Sequence, residues 1–111
     1  MNNCIFCKIA AKKLPSKIQY EDEDMVAFDD IAPKALVHIL IVPKKHIESI
    51  KELENEDTEL MGKLILVARK IAQEKDLKGY KLLFNVGKEG GQLVDHIHLH
   101  LLSGQNMRNA V

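Results

Sequence analysis

The stretch His96-Ile97-His98-Leu99-His100-Leu101-Leu102 alternates strictly between imidazole and aliphatic side chains before closing on a second leucine. On a strand, successive side chains point to opposite faces. All three histidines then share one side, and Ile97, Leu99 and Leu101 share the other. On a helix, His98 would point away from His96 and His100. The pattern predicts a strand from Asp95 to Leu102 with one chemical face and one core face. A single three-histidine metal site does not fit it. At roughly 3.3 Å per residue the outer two Cα atoms lie about 13 Å apart, too far for three imidazoles to converge at about 2 Å on one ion. A division of labour fits better, with one histidine anchoring structure and another doing chemistry.

Immediately upstream runs Asn85-Val86-Gly87-Lys88-Glu89-Gly90-Gly91-Gln92. Glycines allow tight turns and let backbone N–H groups approach an anion. The spacing is neither a Walker A loop nor a dinucleotide fingerprint. Beside a row of imidazoles, such a loop suggests a phosphate cradle and phosphoryl-transfer chemistry; a plain hairpin loop is the simpler alternative.

Further out, Leu36 to Val42 is an apolar run with His38 as its one polar member, and it predicts a strand covered on both faces. Ile18 to Tyr20 and Met25 to Phe28 read as a hairpin around the solvated turn Glu21-Asp22-Glu23-Asp24. Tyr80 to Asn85 reads as another strand. Cys4 to Lys13 can hold a short helix ending at Leu14-Pro15-Ser16. Ser49-Ile50-Lys51-Glu52 fits a capping box. Asp57 to Lys75 carries Leu60, Met61, Leu64, Ile65, Ala68, Ile71 and Ala72 at helical spacing, with Leu66 and Val67 widening the stripe. Gly79 is a natural stop. The sum is an α+β fold, with an antiparallel sheet of four or five strands, one long helix and a short N-terminal helix.

The chain has 111 residues, 46% apolar and 29% charged, and sixteen basic residues balance sixteen acidic ones. This is the composition of one globular domain, residues 1–111. Zero net charge gives no global field for nucleic acid or an anionic membrane, so neither is expected as a partner. No apolar run reaches the length of a membrane span, and the polar start Met1-Asn2-Asn3-Cys4 opens no signal sequence. The cytoplasm is the expected location. The tail after Gly104 is polar and is expected to be loose. Two cysteines, Cys4 and Cys7, make a poor disulfide framework and point first to metal or redox chemistry.

These motifs in this order resemble the histidine triad (HIT) superfamily, and most closely its nucleotide-binding protein branch. The resemblance is carried by Asn85-x-Gly87-x-x-Gly90-Gly91-Gln92 followed by His96-x-His98-x-His100. It extends to Cys4-Ile5-Phe6-Cys7-Lys8-Ile9, Tyr20-Glu21-Asp22, Ala27-Phe28-Asp29-Asp30-Ile31-Ala32-Pro33 and His38-Ile39-Leu40-Ile41-Val42-Pro43-Lys44-Lys45-His46-Ile47, nearly the whole chain. It implies a five-stranded antiparallel HIT-like sheet paired across a homodimer. It also implies hydrolysis of a nucleoside 5′-phosphoramidate or related nucleotidyl adduct to a purine nucleoside monophosphate such as AMP. By this resemblance His98 attacks phosphorus and forms a nucleotidyl-histidine, His100 contacts the phosphate, and His38 lies close to the nucleophile. Asn85 and the Gly91-Gln92 backbone look like phosphate-side contacts. Asp30 resembles the acid that holds the ribose hydroxyls, and Phe6, Ile9, Phe28 and Ile31 resemble the purine pocket. No catalytic metal is required.

For Cys4-x-x-Cys7, a thioredoxin-like site would need a strand before it, and almost no chain precedes Cys4. The resemblance to zinc-bearing members makes His46 and His96 the partners of Cys4 and Cys7 in a structural zinc site; two free thiols are the alternative. The sequence departs from the family at two places. Leu93 stands where Ser or Thr is usual, and the end Met107-Arg108-Asn109-Ala110-Val111 lacks the tryptophan-proline segment of eukaryotic members. Leu93 puts the leaving-group preference in question. Other readings are a dinucleoside polyphosphate hydrolase, a nucleotide-binding interaction protein with little turnover, and a zinc-binding structural module.

Overall fold

The computed structural model describes residues 3–104, so the expectations for the tail after Gly104 lie outside the described residues. In chain order the elements are α1 (Ile5–Ala10), β1 (Ile18–Glu21), β2 (Met25–Asp29), β3 (Val37–Pro43), α2 (Thr58–Glu74), β4 (Lys81–Leu83) and β5 (Leu99–Ser103), with short 3₁₀ turns between them. The strands form one antiparallel sheet in the order β1-β2-β3-β5-β4. This is the α+β arrangement that the patterning predicts.

β3 lies at the centre, and its alternation organises both faces. Ile39 and Ile41 join Met25, Ala27, Leu99 and Leu101 on the face packed against α2. Leu40 and Val42 join Val26, Phe28 and Phe6 on the face covered by α1. α2 buries Leu64, Val67, Ala68, Ile71 and Ala72. Leu64 and Ile71 lose nearly all contact with water, worth roughly 1.5–3 kcal/mol each. The stripe is narrower than the sequence suggests, because Ile65 and Leu66 remain about half exposed, at 48% and 51%. They fall on the flanks, where the sheet no longer reaches.

Other local expectations also shift. The Ser49 hydroxyl accepts from the Lys51 N–H, as a cap should, but it opens only a 3₁₀ turn, Ile50–Glu52. The reciprocal box forms one turn later, between Glu54 and Asp57, directly ahead of α2. α2 ends before Gly79: Asp76 takes the left-handed turn, at φ 54°. The acidic run does form the β1–β2 turn, where the Asp22 Oδ1 accepts from the N–H groups of Asp24 and Met25, both at 2.8 Å. Asp24 then pairs with Lys63 of α2 at 2.6 Å.

β5 starts at Leu99, later than the predicted strand. After Pro43 the chain of β3 turns away, and the Ile97 N–H bonds the Ile47 carbonyl at 2.8 Å instead of a ladder partner. His96, in a bend, and His98 therefore lie ahead of β5, while His100 sits opposite Leu40 within it. The alternation survives: Ile97, Leu99 and Leu101 enter the α2 core, and the histidines take the other face. Among the described residues no helix is long and apolar enough to cross a membrane.

Candidate active site and adjacent metal cluster

The face opposite α2 carries a cavity of about 970 Å³. Its floor is the buried side of the sheet and α1, namely Phe6, Phe28, Leu40, His98 and His100. Its walls include Ile9, Asp30, Ile31, His38, Asn85 and Gly91. Helix α1 and strands β2, β3 and β5 thus bring together residues from Phe6 to His100. The volume lies at the upper end of ordinary small-molecule sites.

His98 and His38 each have the proton placed by a neighbour that can play only one role, and His100 follows from His38. The Nδ1 of His98 lies 2.7 Å from the His96 carbonyl oxygen. A carbonyl only accepts, so Nδ1 carries the proton and Nε2 keeps its lone pair, free for chemistry. The Lys34 backbone N–H donates to the His38 Nδ1 at 3.0 Å. The His38 Nε2 therefore bears the proton. It faces the His100 Nδ1 at 2.9 Å and the Asp30 carboxylate at 3.3 Å. Accepting at Nδ1 leaves the His100 proton on Nε2, and that buried nitrogen has no partner among the described residues.

Burial keeps these rings neutral. The His98 pKa falls below the usual imidazole value because desolvation outweighs the His96 carbonyl and Asp30. His38 falls for the same first reason, with Asp30 opposing. His100 drops to about 4, through desolvation and then the neighbouring His98 and His38. Phe6 packs edge-on against His98, with ring centroids 5.0 Å apart, and against Phe28 at 5.4 Å.

The glycine loop behaves differently from a cradle. Gly87 and Gly91 take positive φ, 71° and 86°, which only glycine adopts readily. The Gly91 and Gln92 N–H groups, expected to face a phosphate, are bonded inside the loop, to the carbonyls of Lys88 and Gly87, both at 3.0 Å. The Gln92 side chain is buried and clamps the loop. Its Oε1 accepts from Gly87 N–H at 2.9 Å, and its Nε2 donates to the carbonyls of Glu48 and Val94 at 2.6 and 2.9 Å. The Asn85 Nδ2 donates to the Gly90 carbonyl at 2.9 Å. Asn85 and Gly91 line the cavity, whereas Gln92 does not. Sequence reasoning missed Lys34, a cavity-lining residue whose backbone sets the His38 tautomer. A backbone N–H carries that role, so no signal in residue type could have found it.

Behind the triad, Cys4, Cys7, His46 and His96 bring one ligand atom each within 4.8 Å of one another. The Cys4 Sγ is 3.2 Å and the Cys7 Sγ 3.6 Å from the His96 Nδ1, and the Cys7 Sγ is 3.3 Å from the His46 Nδ1. Ligands at about 2.0–2.3 Å around a tetrahedral ion stand about 3.3–3.8 Å apart, so the donor set fits zinc. The His96 Nε2 donates to the Pro43 carbonyl at 2.7 Å, which turns the Nδ1 lone pair toward the cysteines. Burial, with Cys4 beside it, pushes the Cys7 thiol up to about 11. A second cluster, Asp30, His38 and His100, is also close enough for an ion. There the Lys34 N–H argues against one: a metal on the His38 Nε2 would force a proton onto Nδ1, against a second donor. That cluster is a proton-bridged pair.

The chain matches the family model DcpS_C, scavenger mRNA decapping enzyme C-term binding, over residues 3–110. It is 48% identical over 103 residues to Protein HitA of Neisseria gonorrhoeae, covering 92% of this chain and 96% of that protein. The crystal structure of a HIT family hydrolase from Legionella pneumophila Philadelphia 1 superposes with a TM-score of 0.92 at 48% identity, over 95% of this chain and 96% of that one. A histidine triad protein from Clostridium difficile gives a TM-score of 0.95 at 40% identity, over 98% and 96%. Fold, triad and sequence agree, and the chain belongs to the histidine triad family.

Proposed function

We propose that the protein is a hydrolase of purine nucleoside 5′-phosphoramidates or related nucleotidyl adducts, acting through a nucleotidyl-His98 intermediate. The observation that carries this is the fixed tautomer of His98: a neutral ring in the cavity floor with its lone pair on Nε2 and its Nδ1–H tied to a carbonyl. Attack forms the Nε2–P bond and breaks the P–N bond of the substrate; the departing amine takes a proton from solvent. Positive charge grows on the ring as the bond forms, and the His96 carbonyl stabilises it. That charge makes the imidazole a good leaving group when water attacks, which forms a P–O bond, releases the nucleoside monophosphate and returns a proton. The His100 Nε2–H, without a partner among the described residues, is the proposed donor to a phosphate oxygen, and the Lys34 ammonium adds positive charge. Asp30 is the proposed acceptor for the ribose hydroxyls, with Phe6, Ile9, Phe28 and Ile31 enclosing the base.

Zinc is proposed at Cys4, Cys7, His46 and His96. When bound it closes a four-coordinate structural site and takes no part in the reaction. The chain's own ligands tie α1 to the sheet and so hold Phe6 against His98. A homodimer extending the sheet at its β4 edge is the proposed assembly, and the cytoplasm, where closely spaced thiols stay reduced, the proposed location. Rapid quench of the protein with a phosphorus-labelled substrate tests the central step: a labelled adduct stable to alkali and lost in acid is expected, and its absence during active turnover would overturn the covalent route.

A further inference from the structure

Among the described residues, the cavity lining holds two carboxylates, Asp29 and Asp30, and a single cation, Lys34. Both acids are engaged. Asp29 accepts from the Gln19 amide at 2.9 Å and lies 4.0 Å from the Lys17 ammonium. Asp30 accepts from the Ala32 N–H at 2.8 Å and meets the His38 ring at 3.3 Å. Lys34 makes no ion pair among the described residues. A lysine without a counter-charge is ordinary on an open surface. This one stands at a cavity, and its main chain is pinned, because its N–H donates to the His38 Nδ1 at 3.0 Å.

Lys34, His38 and His100 form a row. The His38 Nε2 meets the His100 Nδ1 at 2.9 Å, and on the other side of the His100 ring the buried Nε2–H has no partner among the described residues. Burial, with the Lys34 charge among the lesser causes, keeps both rings neutral. An anion entering the cavity thus meets neutral imidazoles, two carboxylates and one full positive charge. The α-phosphate of a nucleotidyl adduct carries a single negative charge, and the His100 N–H is its proposed donor. A second negative charge is repelled by Asp29 and Asp30 unless a cation offsets them.

We infer that Lys34 holds a second anionic group of the substrate, so that the site favours nucleotidyl adducts carrying a phosphate, sulfate or carboxylate besides the α-phosphate. This rests on the nucleotidyl hydrolase proposed above and names its substrate class. The second group stands on the leaving group or on the ribose, and the ammonium reads its charge in both cases.

The test measures Kd for AMP, ADP and adenosine 3′,5′-bisphosphate on the native protein, Lys34→Gln and Lys34→Arg. All three proteins keep the backbone N–H that fixes His38. On the native protein at low ionic strength, one or both of the doubly phosphorylated nucleotides are expected to bind about tenfold tighter than AMP. Lys34→Gln is expected to reduce that ratio to about twofold or less, and Lys34→Arg to keep it. Tighter ADP places the second anion on the leaving-group side, and tighter bisphosphate places it on the ribose. AMP bound as tightly as both, or a ratio unchanged in Lys34→Gln, would overturn the assignment. The same ratios in a protein that releases no AMP from adenosine 5′-phosphoramidate keep Lys34 while the hydrolase falls. If no nucleotide binds, the nucleotide reading falls, and pyrophosphate against inorganic phosphate decides Lys34. A pyrophosphate preference lost in Lys34→Gln supports it, and equal binding overturns it.

Discussion

The Nδ1 of His98 donates to the backbone carbonyl of His96 at 2.7 Å, while the His96 ring turns the other way and meets Cys4 and Cys7. One residue thus serves two sites. Its side chain belongs to the cysteine cluster, and its backbone fixes the tautomer of its neighbour two positions on. The chain ahead of β5 makes this possible, because it is free of ladder pairing there and leaves the His96 carbonyl to accept from the side chain two positions on.

Acid should act on the site before it acts on the fold's aliphatic core. His98 is held neutral, so the acid limb of kcat/KM should lie below the ordinary imidazole value of about 6.5. A limb at or above that value would contradict the buried neutral nucleophile. The same burial links to stability. The unfolded chain protonates His100 near its ordinary value, the folded chain only near 4, so the unfolded state binds more protons in between. The stability present above about pH 6.5 should be lost progressively as pH falls toward about 4. Thermal melts across that window should show a falling Tm, with a shallower fall in His100→Asn.

The clamp made by Gln92 predicts a structural cost at a residue the motif assigns to phosphate binding. Gln92→Ala removes three hydrogen bonds and leaves their partners unpaired, which should destabilise the fold by about 2–3 kcal/mol in urea unfolding. Gly87→Ala should cost about 1–3 kcal/mol, because the backbone there is a glycine conformation and Lys51 Nζ lies 3.1 Å from where a Cβ would stand. Full stability in Gln92→Ala would contradict the clamp.

Much of this was legible in the sequence, for physical reasons that differ by residue. The His96–Leu102 alternation located the chemical face because a strand has period two. The apolar run Leu36–Val42 located the central strand because burial on both faces leaves little alternation. The loop roles were not legible. Nothing in Gly90-Gly91-Gln92 says whether the N–H groups face outward or close on their own carbonyls; that is decided by Gln92 reaching Glu48, forty-four residues away. Ile65 and Leu66 were misplaced because periodicity gives a helix face but not the width of the sheet it meets. Lys34 acts through its backbone, which leaves no mark in residue type.

The cysteine cluster predicts one zinc per chain in native mass spectrometry. Cys7→Ser should lose the metal and lower Tm by about 5 °C or more, since α1 loses its tether. A Cys7→Ser protein that melts like the native chain would contradict a structural role for the cluster.

The most direct test of the central claim is release of AMP from adenosine 5′-phosphoramidate by the native protein and by His98→Ala, with AMP binding measured on both. Release by the native protein, none by the variant, and AMP binding retained in both are the predicted results. Equal release by the two proteins, or none from the native protein while AMP still binds, would contradict His98 as the nucleophile of a nucleotide hydrolase.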